Sequence, residues 1–294
     1  MASLKEVRNR IQSVNSTQQI TKAMKMVAAA KLRRSQDAIT QMRPYAQRLS
    51  LMLQNISASI DDDVENPYAV ERPVNKVLLI VVTSDRGLAG AFNANIIKAT
   101  NNLIAEKYAV QAQAGNVHLL TVGKKGLDFF AKRNHTVHRE FTGIFTALSF
   151  GAARQAAEFA MDGFMKGRYD RVEIIYNEFR NVATQIIRAE RFLPILPAPV
   201  STQKQTKADY IYEPSKEEIF KELIPKSLKI QFYKTLLDSN ASENGARMMA
   251  MDKATENAKE LIKELKLVYN RTRQAAITKE ILEIVGGAEA LSDQ

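Results

Sequence analysis

At 294 residues, with 45% apolar and 25% charged side chains, the chain has the composition of a soluble globular protein and room for one domain or two. It has no cysteine, which excludes a disulfide framework, a thiol switch and a cysteine-held metal. The net charge of +10 is concentrated: residues 1–48 carry ten Lys or Arg against Glu6 and Asp37, whereas from Ala246 onward eight of each sign cancel. The basic excess therefore points to an acidic partner for the N-terminal segment.

The first segment, Ser3 to Ser59, has no glycine and only Pro44. Ser3 followed by Glu6 reads as a capping box opening a helix. Leu4, Val7, Ile11 and Val14 step 3-4-3; the phase then weakens through "NSTQQ" and resumes at Ile20, Met24 and Val27, a seam suited to one partner helix. Pro44 is expected to kink or strain this helix. Between Val7 and Gln36 stand seven Lys or Arg and no acid, unusual for a surface helix, where opposite charges pair one turn apart.

"DDDVENPYAVERP" (61–73) reads as an acidic, proline-bearing linker. After it, "KVLLIVVT" (76–83) is a buried-strand run, too short to span a membrane. A helix is expected over Ala91–Glu106, then a strand at "NVHLLTVG", a helix at "KKGLDFFAKRN", a strand at "TVHREF" and a helix over Phe150–Lys166. "RVEIIYNEF" and "ATQIIRAERFLPI" complete the strands. Such alternation predicts a largely parallel sheet covered by helices, with an antiparallel edge allowed at the end. "PAPVSTQKQTKADYIYEPS" (197–215) is a second linker.

From Ala246 to Val285 no glycine or proline intervenes. Met251, Ala254, Ala258, Leu261, Leu265, Val268, Thr272 and Ala275 keep a 3-4 step, the mark of a coiled coil, and Gly286-Gly287 is expected to stop the helix. The predicted fold is thus α/β plus a long antiparallel coiled coil of the two termini, with an inserted Rossmann-like α/β domain. Its parts are an N-terminal helix (1–59), a linker (60–75), the α/β domain (76–200), a linker (201–215) and a C-terminal helix (216–294).

Candidate chemistry is sparse. "SDRGLAGAFNAN" (84–95) lies between a strand and a helix, where phosphates bind in α/β folds, but it is one glycine short of the dinucleotide pattern and has no P-loop. A tight turn is the simpler reading. His118, His135 and His138 supply at most part of a metal site and read as structural. No serine, cysteine or zinc hydrolase pattern stands out, so neither catalysis, cofactor nor metal is expected. For the basic helix, an acidic protein and nucleic acid are both open. The lack of any Phe, Tyr or Trp in residues 1–44 favours the protein, and no nucleic acid is expected.

"IQSVNSTQQITKAMKMVAAAKLRR", "SDRGLAGAFNAN" and "VYNRTRQAAITKEILEIVGGAEAL" together resemble the gamma subunit family of F-type ATP synthases, in order and spacing along essentially the whole chain. The resemblance implies a noncatalytic rotor. Its terminal helices form a shaft inside a ring of alpha and beta subunits, and its α/β domain meets the epsilon subunit and the ring of c subunits. The expected location is peripheral, at the cytoplasmic face of a bacterial inner membrane. "MASLKEVRNRIQ" shows no signal or transit peptide, and Ala89 replaces a cysteine common in the family's loop, so thiol regulation is not expected.

Site residues follow from the same resemblance. Lys22, Met24, Lys25, Lys31, Arg33 and Arg34 match the stretch approached by an acidic lever loop of beta. Arg247, Gln274, Thr278 and Glu280 match shaft positions implicated in coupling and in contacts with beta. Ile281, Leu282, Ile284 and Val285 would form a tip turning in an apolar bearing. Tyr210, Tyr212 and Glu213 would face the c ring. Ordinary coiled-coil packing, or a strand entering the C-terminal helix, is the alternative at these places.

Overall fold

The computed structural model describes residues 3–57, 66–133, 135–195 and 215–292. Its elements in order are α1 (Leu4–Ser57), β1 (Val77–Val82), α2 (Phe92–Lys107), α3 (Ala109–Gln113), β2 (Val117–Val122), α4 (Lys124–Phe130) and β3 (Thr136–His138). A 3-10 turn (Ile144–Thr146), α5 (Phe150–Met165), β4 (Arg171–Phe179), β5 (Gln185–Leu193) and α6 (Lys216–Ser292) complete the chain. Two compact units emerge: one formed by residues 1–28 with 248–294, the other by 29–247.

In the second unit the five strands lie in the order β3-β2-β1-β4-β5. β1 pairs in parallel with β2 and β4, β2 in parallel with β3, and β5 closes the edge antiparallel to β4. Every residue of β1 is buried, because helices cover the sheet on both sides. On one face Leu79, Val81, Leu119 and Ile175 pack with Ile96 and Ile104 of α2 and Phe130 of α4. On the other, Leu78, Ile80 and Ile174 meet Ala153, Ala157 and Phe164 of α5 and Leu228, Phe232 and Leu236 of α6. The small residues of α5 let it lie close on the sheet, and Ser149 caps it by accepting from the Ala152 amide.

The first unit is an antiparallel helix pair. Thr255 Oγ1 bonds Thr21 Oγ1 at 2.8 Å and Lys25 Nζ bonds Asp252 Oδ1 at 2.5 Å, so the residue numbers run oppositely. Ser3 Oγ accepts from the Glu6 amide and opens α1 as expected. Val7, Thr21, Ala28, Met251, Ala258 and Leu265 are the buried seam.

Three expectations are corrected. The α1 seam does not resume at Ile20 and Val27, which are 59% and 57% exposed. The 3-4 step continues unbroken through Gln18, Thr21 and Ala28, and the buried Thr21 hydroxyl is satisfied by Thr255 and by the Gln18 carbonyl. Gly286-Gly287 does not stop α6, which runs to Ser292. An interior glycine costs a helix only about 1 kcal/mol against alanine, and good helix formers flank this pair. The helix begins at Lys216, where the C-terminal helix was expected to start, and takes Pro225 and Gly245 into its length. Finally, only Thr136–His138 of "TVHREF" pair as a strand, and α3 and the 3-10 turn had no periodic signal.

Candidate functional site: the basic helix face, the crevice and the tip

The predicted basic residues lie along α1 beside and outside its buried seam positions. Lys22 is exposed, Met24 and Lys25 are half-buried, and Lys31, Arg33 and Arg34 are exposed, while Leu32 and Ser35 between them are buried. Lys25 is paired with Asp252, each side chain about 40% exposed. Lys22, Lys31, Arg33 and Arg34 have no ion pair among the described residues. Ile20, Met26 and Val27 stand exposed among them. Sequence reasoning assigned Ile20 and Val27 to the seam; the unbroken 14-18-21 step was the signal that they face outward.

Arg247 has a different setting. Its guanidinium donates to the carbonyl oxygens of Gly87 at 2.5 Å and Arg86 at 3.3 Å, and pairs with Glu243 at 2.6 Å, all on a side chain only 12% exposed. The loop it grips is the glycine-bearing one after β1. There Ser84 Oγ donates to the Arg86 carbonyl, the Ser84 amide donates to Asn93 Oδ1, and the Lys124 amide donates to Asp85 Oδ1. Leu88 is held at φ 64°, a left-handed conformation unusual for leucine. Ser242 Oγ also donates to the Asn177 carbonyl at 3.1 Å on β4, and Gly245 lies where a methyl group would touch Phe179 and Val182. The strand order reverses beside β1, and the crevice beyond the carboxyl ends of such strands is where α/β folds seat ligands. Here α6 fills it. That is the physical reason the loop works as a fixed turn.

Toward its end α6 outruns its partner. Extending the Thr21–Thr255 register brings Leu4 level with Thr272, so the following residues have no α1 turn beside them. Gln274, Thr278 and Glu280 are exposed, and the Thr278 hydroxyl is spent on the Gln274 carbonyl. Ile281, Leu282, Ile284 and Val285 are all exposed, Ile284 to 71%. The heptad positions fade accordingly: Leu265 is buried, but Val268 and Ala275 are exposed. Tyr210, Tyr212 and Glu213 lie outside the described residues.

The histidines sit in packing roles. Tyr169 Oη lies 2.9 Å from His138 Nε2 and 3.4 Å from His118 Nδ1, and His135 stacks edge-on against Phe130. Burial and the nearby His138 and Lys76 hold His118 below the usual imidazole range. Among the described residues no group of three or more His, Asp or Glu is placed to hold a metal ion.

An antiparallel pair of terminal helices and an α/β unit whose strand-end crevice is filled by α6 define a long-helix subunit with an inserted α/β domain. The comparisons identify which. The family model described as ATP synthase matches residues 3–291. The chain is 65% identical over 295 residues to the ATP synthase gamma chain of Cytophaga hutchinsonii, covering 100% of both. It is 55% identical over 293 residues to that of Flavobacterium johnsoniae, covering 99% of this chain and 100% of the relative. A chain in the cryo-EM structure of the Tetrahymena thermophila mitochondrial ATP synthase central stalk and c ring is 25% identical, with a TM-score of 0.56, covering 80% of this chain and 99% of that one. One from the Euglena gracilis mitochondrial enzyme is 20% identical with a TM-score of 0.66, over 98% and 94%, and shares the fold. The chain belongs to the ATP synthase gamma chain family, the noncatalytic central-stalk subunits of F-type ATP synthases.

Proposed function

We propose that this chain turns as the rotor of a proton-driven ATP synthase and that the basic face of α1 is where it engages acidic lever loops on the beta subunits. Proton flow turns the c ring and the rotor with it, and each beta subunit meets a different rotor face in turn. A rotor face shifts a beta subunit between open and closed states only by as much as it prefers one of them. The chemistry of ATP stays on alpha and beta.

The observation that carries the reading is the exposure of Lys22, Lys31, Arg33 and Arg34 with no ion pair among the described residues. A face with cations and no acids attracts three identical acidic loops in succession and repels none. Exposed pairs of this kind are worth about 0–1 kcal/mol each, enough to guide and too little to trap the rotor. Ile20, Met26 and Val27 add apolar contact beside the charges. The exposed tip, Ile281, Leu282, Ile284 and Val285, suits an apolar bearing within the alpha–beta ring, with Gln274, Thr278 and Glu280 just below it. Arg247 serves coupling by tying α6 to the loop after β1. Tyr210, Tyr212 and Glu213 are assigned to the c-ring contact, and the α/β domain to epsilon. Among the described residues no helix is long and apolar enough to cross a membrane; the chain is assigned to the cytoplasmic face of the inner membrane, held there by its partners.

The test is Lys22→Glu with Lys25→Glu, assayed as ATP-driven proton pumping per ATP hydrolysed in membrane vesicles. Coupling should fall at least about twofold, in proportion to a lost attraction of a fraction of a kcal/mol per charge. Because Lys25 also pairs with Asp252, Lys22→Glu alone separates the outer face from that internal bond. Unchanged pumping in both variants overturns the charge argument.

A further inference from the structure

We propose that a cleft between α1, β4 and α6 is a binding site for an organic cation, a primary ammonium carried on a short apolar chain. The cleft lies within the unit of residues 29–247 and encloses about 320 Å³, at the lower end of the range for small-ligand pockets. Its apolar lining is Ile39, Met42 and Ala46 from α1, Phe179 from the end of β4 and Leu237 from α6, and Gln47 of α1 adds an exposed amide.

Its polar groups are sorted by depth. Asp238 lines the cleft and is 9% exposed, yet has no hydrogen bond or ion pair among the described residues. Glu178, the second acid, is half-buried and already accepts from Arg188 Nε at 2.7 Å. The two cations of the lining, Arg43 of α1 and Lys234 of α6, are exposed and form no ion pair with Asp238. Tyr176 of β4, which also faces this acid, gives its hydroxyl to Glu190 of β5 at 3.1 Å.

A carboxylate removed from water without a donor is costly, and it gains most from a group that brings both charge and N–H bonds. An ammonium brings three donors and a positive charge, and the apolar walls take the chain attached to it. The exposed Arg43 and Lys234 would draw an anion to the mouth, but the buried group it would meet is the Asp238 carboxylate, and an alcohol supplies one donor and no charge. Burial raises the Asp238 pKa to about 6; Lys234 and Arg43 pull it down, while Glu178 and Glu190 push it up. The acid is thus ionised, and the site open to a cation, at neutral pH, and it closes to one in mild acid.

The experiment titrates the full chain with n-hexylammonium chloride and follows methionine methyl signals by NMR. The Met42 methyl should shift saturably at pH 7.5, with Met161 in the domain interior unmoved. Affinity should drop at least about tenfold at pH 5, for hexanol or hexanoate in place of the amine, and in Asp238→Asn. Ala46→Phe, which fills the cleft from α1 and leaves Asp238 in place, should also abolish the shift and tests the cleft independently of the acid. No saturable shift at Met42, equal binding of hexanol, or full affinity in a folded Asp238→Asn or Ala46→Phe variant overturns the proposal.

Discussion

Asp238→Asn should stabilise the protein, and the gain should depend on pH in a defined way. Asp238 is nearly buried, makes no hydrogen bond or ion pair among the described residues, and carries a pKa raised from 3.8 to about 6, chiefly by burial. A group whose folded pKa lies above its unfolded value favours folding only while both states are protonated. Its contribution is intact below pH 4 and is lost as pH rises through 6. Above that the ionised carboxylate costs about 2.303RT times the two-unit shift, on the order of 3 kcal/mol. Asparagine has the same shape and never ionises. The variant should therefore be more stable than the parent by on the order of 3 kcal/mol at pH 7.5 and by about half that at pH 5. Urea denaturation of both proteins, followed by circular dichroism at several pH values, gives the difference directly. A gain that does not change with pH, or a loss of stability at pH 7.5, would refute the reasoning, because either means that the carboxylate finds a partner in the folded chain.

Three further outcomes follow from the geometry. Arg247→Ala strips the Gly87 and Arg86 carbonyls of their donor and leaves Glu243 without its counter-charge. It should cost about 3 kcal/mol and speed amide hydrogen exchange across residues 84–90, and Arg247→Lys should not restore protection because an ammonium cannot reproduce the fork. Gly123→Ala places a methyl 2.1 Å from the Thr83 carbonyl oxygen at φ 101°, so thermal melts should show a loss of about 3 kcal/mol; a melt within a degree of the parent would contradict the close approach. Gly286→Ala meets nothing within 4 Å and should strengthen the last turns of α6 by about 1 kcal/mol, read as slower amide exchange over residues 280–288. Exchange as fast as the parent's would mean that these turns are not helical in solution.

The α/β domain was legible because its signals are local. A strand buried on both faces writes an unbroken aliphatic run, as in "VLLIVV", and a helix lying on a sheet writes small residues at the contact, as in Ala153, Ala156 and Ala160. The basic face of α1 was legible for the same reason, since the missing acids are a property of the sequence itself. The seam of α1 was misread because apolar Ile20 and Val27 outweigh polar Gln18 and Thr21 on any hydropathy count, whereas burial of Thr21 is made tolerable by Thr255, 234 residues away. Arg247 gave no hint of its role as a clamp, because the carbonyls it binds lie 160 residues upstream. Asp238 was equally silent: its burial arises where three elements distant in sequence converge. The end of α6 was missed because glycine alone, with no proline after it, penalises a helix without ending it.

One face of the sheet is finished by the last third of the chain. Leu78, Ile80 and Ile174 are covered partly by α5 but also by Leu228, Phe232 and Leu236, which are translated well after β5 ends at Leu193. At about 5–20 residues per second, the ribosome leaves that face uncovered for several seconds after the fifth strand has been made. The nascent domain therefore passes through a stage with an open apolar surface and a loop that Arg247 has yet to reach. A chain released early, before α6, would keep that surface, which makes truncated products natural clients of cellular quality control.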